Sequence, residues 1–80
     1  MDTPLEQTVT QVIEDYLALN PQAADSATGV TRWWLSPRGV LVSVAEVEPV
    51  LAAMVRRRRL RCVRLADGTV LYAKHRAALH

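Results

Sequence analysis

Leu5, Val9, Val12, Ile13, Tyr16 and Leu17 fall at offsets of 0, 4, 7, 8, 11 and 12 along the chain. That is one continuous apolar stripe on a period of 3.6 residues, and it predicts a helix over about 4–19. Thr3 stands as its N-cap, Pro4 fills the first turn where a missing N–H costs nothing, and Glu6 completes a capping box. Asn20-Pro21 ends it, because proline disfavours α geometry in the residue before it. Gln11, Glu14 and Asp15 lie opposite the stripe and are expected in water.

A second, shorter helix is predicted over about 26–35, capped by Asp25 or Ser26, with Val30, Trp33 and Trp34 as its apolar residues. Gly29 lowers intrinsic helicity there, which points to close approach of another element. Adjacent side chains on a helix diverge by about 100°, so one tryptophan anchors the core while the other lies near the surface. The outer one either covers the core edge or faces a partner. Ser36-Pro37-Arg38-Gly39 reads as a turn, and Val40-Leu41-Val42 as a short strand over about 40–42.

Ser43 and Glu46 form a second capping box that opens a helix over about 44–58, with Val47, Val50, Leu51, Met54 and Val55 as its buried stripe. Pro49 sits just beyond the first turn, so a distorted start and a late-beginning helix are expected. After Arg59 the period becomes two, and Asp67-Gly68 marks a hairpin over about 60–74. A two-residue turn would pair Leu65 with Val70, Val63 with Tyr72 and Arg61 with Lys74. Residues 76–80 are expected to fray.

These elements make a single α+β domain over residues 1–80: three helices, a short strand between helices two and three, and a C-terminal β-hairpin. The stripe of the first helix, Val30/Trp33/Trp34, the Val47-to-Val55 stripe and Leu60 to Lys74 with its Asp67-Gly68 tip together resemble a winged helix-turn-helix domain. The run from Val50 through Arg59-Leu60 to Asp67-Gly68 is similar to the last helix and wing of bacterial members. The resemblance implies a third helix that enters the DNA major groove, a hairpin wing, and a role in transcription regulation. Two features depart from the family pattern. The family's first strand commonly precedes the second helix, and its second and third helices are joined by three or four residues instead of about eight.

Eighty residues, half of them hydrophobic, suit one folded core, modest in stability unless a partner adds to it. No apolar run is long enough to span a membrane, and Met1-Asp2-Thr3-Pro4 is acidic where a signal peptide would be basic. The chain is therefore expected to be cytoplasmic. Cys62, His75 and His80 are too few for a zinc site, and a single cysteine forms no internal disulfide. Cys62 reads as a small buried hydrophobe, with a reactive thiol as the alternative. The two histidines sit at the chain end, no carboxylate pair is set in an apolar pocket, and no glycine-rich phosphate loop occurs. The chain is read as a non-enzyme with no cofactor, no metal and no small-molecule substrate.

Charge is strongly polarised. Met1 to Val55 holds seven acidic residues against Arg32 and Arg38, a balance of −5. Arg56 to His80 holds eight basic residues against Asp67, a balance of +7. Arg56, Arg57, Arg58 and Arg59, with Arg61 and Arg64 close by, form the candidate nucleic-acid or anion site. Guanidinium groups fit phosphate through two parallel hydrogen bonds, and one or two cations would suffice merely to cap a helix end. The start of the third helix carries Glu46 and Glu48, which would face phosphates and offer nothing to purine edges. Two functions follow. The first is nucleic-acid binding through phosphates, with DNA favoured over RNA. The second is a protein-interaction or homodimerisation module that uses the hairpin, Trp33 or Trp34, and the acidic third-helix end with Glu46 and Glu48.

Overall fold

The computed structural model describes residues 3–75. Helix α1 runs from Pro4 to Leu19, strand β1 covers Ala24–Asp25, and α2 is a single turn at Ala27–Gly29. The second helix then continues without a break as a π-helical segment, Val30–Leu35, and closes in a 3₁₀ turn at Ser36–Arg38. Helix α3 spans Val44–Arg56, and strands β2 (Leu60–Arg64) and β3 (Val70–Lys74) complete the domain. The sheet is antiparallel in the order β1-β3-β2. The coarse expectation of an α+β domain with three helical segments and a C-terminal hairpin holds.

Helix α1 begins and ends where its sequence signals stand. Thr3 Oγ1 accepts from the Glu6 N–H at 3.1 Å, and the Asn20 N–H closes the last turn on the Tyr16 carbonyl. Only the Thr3 half of the expected capping box forms among the described residues. The α1 stripe packs Val9, Ile13 and Leu17 against Val30, Trp34 and Leu35 of the second helix and Val47, Val50, Leu51 and Met54 of α3. Leu60, at the start of β2, seals that core. Ser26 caps the second helix, accepting from the Gly29 N–H at 3.2 Å. Gly29 is there because an added Cβ would lie 1.8 Å from Asp25 Oδ1, and that carboxylate is held by the Ser26 N–H at 2.9 Å.

Five expectations are corrected. Val40-Leu41-Val42 forms no strand; it runs as a loop after Gly39, whose φ of 81° ends the 3₁₀ turn. The third strand is instead Ala24–Asp25, ahead of the second helix, pairing Ala24 with Ala73 and Asp25 with Tyr72. Those two residues carry no β-propensity, so their pairing comes from the exposed edge of β3 beside them.

The hairpin register is shifted by one. Arg64 pairs with Val70, Val63 with Leu71, Cys62 with Tyr72 and Arg61 with Ala73. Gly68 has the expected positive φ, 91°, but Arg58 is the only non-glycine residue described with positive φ, so the two-residue turn cannot form at Asp67. A three-residue loop closes the hairpin, with Gly68 N–H on the Leu65 carbonyl at 2.9 Å and Leu65 N–H on the Thr69 carbonyl at 2.7 Å. A shift of one residue changes which cross-strand neighbours share a face.

Cys62 is exposed, since the hairpin projects beyond the helices and only Leu60 of β2 is covered. Helix α3 starts on time at Val44, with both halves of the Ser43–Glu46 capping box in place and Pro49 inside the helix on an exposed face. The proline therefore removes one backbone bond without displacing the start. The fifth correction concerns the polar face of α1: Glu14 and Asp15 are half-buried and meet arginines from elsewhere in the chain. The fraying expected at 76–80 lies outside the described residues.

Candidate functional site

The arginine run does not lie along one helical face. Arg56 is the last residue of α3, Arg57 its C-cap, and Arg58 takes a left-handed conformation with φ of 60°. Arg58 N–H bonds the Val55 carbonyl at 3.0 Å and Arg59 N–H bonds the Met54 carbonyl at 2.9 Å, the reverse turn that commonly closes a helix on glycine. The four side chains consequently leave the backbone in different directions. Arg59 is committed to an ion pair with Glu14 of α1. Arg61 Nε donates to the Lys74 carbonyl at 3.2 Å across the hairpin. Arg61 and Arg64 are three apart on one strand and so project from opposite faces. All six arginines are exposed, but the chain does not assemble them into one stripe.

The opening of α3 is acidic, as its sequence indicated. Glu46 Oε1 accepts from both the backbone N–H and the hydroxyl of Ser43, at 2.9 and 3.1 Å, so this carboxylate caps the helix. Glu48 is exposed near Tyr72 of β3. Burial raises the Tyr72 phenol above its ordinary value, and electrostatic contributions from Cys62 and Glu48 add to the rise. At the hairpin tip Asp67 adds a third carboxylate, which accepts from the Thr69 N–H at 2.9 Å.

The two tryptophans separate as expected. Trp34 is 2% exposed and stacks on Tyr16, whereas Trp33 is 65% exposed. Trp33 lines a groove of about 780 Å³ between the second helix and the start of α3. Thr31 and Arg32 of the second helix, Val40, Leu41 and Val42 of the loop, and Val44 and Glu46 of α3 line it too. Leu41 is 80% exposed, the most exposed large hydrophobic side chain described. The β-branched run that reads as a strand thus lines a groove, and Leu41 and Arg32 are surface residues that periodicity did not single out. A hydrophobic run with no cross-strand partner in reach was the available signal.

Among the described residues no cluster of His, Cys, Asp and Glu could hold a metal ion, and no helix is long and apolar enough to cross a membrane. No family model, curated protein or solved structure matches this chain.

Proposed function

We propose that this chain is a non-catalytic, winged-helix-like interaction domain that docks a protein partner in the groove between its second helix and α3. The exposure of Trp33 and Leu41, both lining that groove, carries the reading. Large apolar side chains scattered singly on a surface need no explanation, but an exposed tryptophan at a concave site with an arginine beside it has the residue types that dominate interface energetics. The winged-helix arrangement is supported by β1 lying ahead of the second helix and pairing with the wing. With the 3₁₀ turn counted, Gly39–Ser43 is all that joins the second helix to α3.

The same geometry makes base reading by α3 the weaker proposal. The start of α3, which a winged helix commonly lays on DNA, would here carry Glu46 on one side and Glu48 on the other, with Asp67 at the hairpin tip, and phosphate repels all three. A second reading is favoured by the exposed arginines at the C-terminus of α3: contact with phosphates alone, weak and independent of sequence.

A photo-crosslinking amino acid at position 41, compared with one at the exposed Thr8 of α1, tests the groove in living cells. Discrete covalent protein adducts at 41 and none at 8 are expected. No adduct at 41, together with retention on random duplex DNA that weakens steeply with salt, would replace the groove reading by the phosphate reading.

A further inference from the structure

We propose that the occupant of the groove is a second copy of this chain, bound about a two-fold axis that seats each Trp33 in the other's groove. The inference rests on the groove being an interaction site. An isologous interface needs one patch that is complementary to itself, with projection and cavity both present and each charge facing its opposite after a two-fold rotation. This patch carries the parts that condition needs. Trp33 and Leu41 project from it, and the groove they border is the cavity. Arg32 stands on the second-helix wall and Glu46 on the α3 wall. Arg32 has no ion-pair partner among the described residues. Glu46 uses Oε1 for Ser43, which leaves Oε2 for a cation. A two-fold brings Arg32 of each copy to Glu46 of the other, so both pairs form at once, flanking the tryptophans. A partner of uniform charge would satisfy one wall of the groove and oppose the other.

The geometry also gives the interface an economical origin. Trp33 leaves a helix whose neighbouring Trp34 is locked in the core, so its Cα–Cβ bond points outward before association and only two side-chain torsions remain to be ordered. A preorganised aromatic anchor loses little conformational freedom on binding. Burial of both indoles would extend the small hydrophobic core of an 80-residue chain across the axis.

Sedimentation equilibrium over a concentration series, on the whole chain, tests the proposal directly. A mass rising from 8.9 kDa towards twice that value is expected, with Trp33 emission shifting to the blue as the dimer forms. Trp33→Ala removes an exposed side chain, leaves the circular dichroism spectrum intact, and should weaken the dimer by roughly 30-fold or more. Arg32→Glu should weaken it about tenfold, more at low salt. Glu46→Gln keeps an acceptor for Ser43 while deleting the charge, so it should weaken the dimer while leaving the melting temperature of the dilute, monomeric chain within a few degrees.

A mass of 8.9 kDa that persists to about 1 mM, or a dimer unmoved by Trp33→Ala, overturns the proposal. The crosslinker at position 41 separates the two levels of inference. An adduct at twice the chain mass supports the dimer, whereas adducts only at other masses overturn it while leaving the groove an interaction site. No adduct at all removes both.

Discussion

Tyr16 of α1 stacks on Trp34 of the second helix with ring centroids 4.6 Å apart and planes 11° from parallel. The pair joins the two elements whose mutual packing fixes the direction of Trp33. Near-parallel rings at this separation add to the area they bury. Trp34→Ala should cost about 3–5 kcal/mol, enough to unfold most of so small a domain, whereas Trp33→Ala should cost well under 1 kcal/mol. Urea titrations followed by circular dichroism at 222 nm measure both. Equal losses at the two positions would contradict the packing described.

Pro49 lies inside α3 on an exposed face and leaves the Ala45 carbonyl without its helical donor. Pro49→Ala restores that donor without touching the core. Stability should rise by about 1–2 kcal/mol, the restored bond and helix propensity outweighing the greater freedom of the unfolded chain. A thermal scan showing no gain would mean that the proline ring packs against something essential.

Arg58 occupies the left-handed position at which helices most often place glycine. Arg58→Gly should relieve strain of about 1 kcal/mol and raise the melting temperature by a few degrees, despite removing a charge from the helix end. Arg58→Val should be destabilising, because a β-branched side chain suits positive φ least. If the two substitutions behave alike, the residue acts through its guanidinium and not through its backbone.

Asp67 has a carboxyl pKa lowered from 3.8, chiefly by the Thr69 backbone N–H, then by the Thr69 side chain. The ionised form is the one that the turn prefers. Its contribution is therefore fully present above the ordinary value and is lost as pH falls through the lower folded value. The Thr69 amide should show an acid-side NMR titration with its midpoint below 3.8, and Asp67→Asn should abolish it. A midpoint at or above 3.8 would mean that the Asp67–Thr69 bond does not persist in solution.

Helix α1 was legible because each of its features is local: the stripe, Thr3, Pro4 and Asn20-Pro21 all act within a turn of one another. The burial of one tryptophan and exposure of the other followed from helical geometry alone. Pairings that depend on distant edges did not follow. Ala24–Asp25 becomes a strand only because β3 passes beside it, while Val40–Val42, with better propensity, finds no edge to join. The hairpin register turned on whether Asp67 adopts positive φ, which a dipeptide suggests and the flanking strands decide. At the candidate site the sequence named Trp33 and Glu46, which line one groove in the structure. It could not show that a helix-ending turn disperses the arginines, nor that a failed strand would line a groove with Trp33.

The ion pairs on α1 alter how the molecule is sensed from a distance. Along the chain, acid and base are segregated, but Arg59 returns to Glu14, and Arg38 comes within 3.9 Å of Asp15. Charges matched this closely largely cancel beyond a Debye length, about 10 Å at 0.1 M salt. Arg38 and Asp15 already offset each other within the −5 half, so only the Arg59–Glu14 pair crosses the split, and the halves stay polarised at −4 and +6. Encounter with a polyanion should therefore keep a rate that falls as salt rises, while residence time is set by what the apolar surface finds on contact.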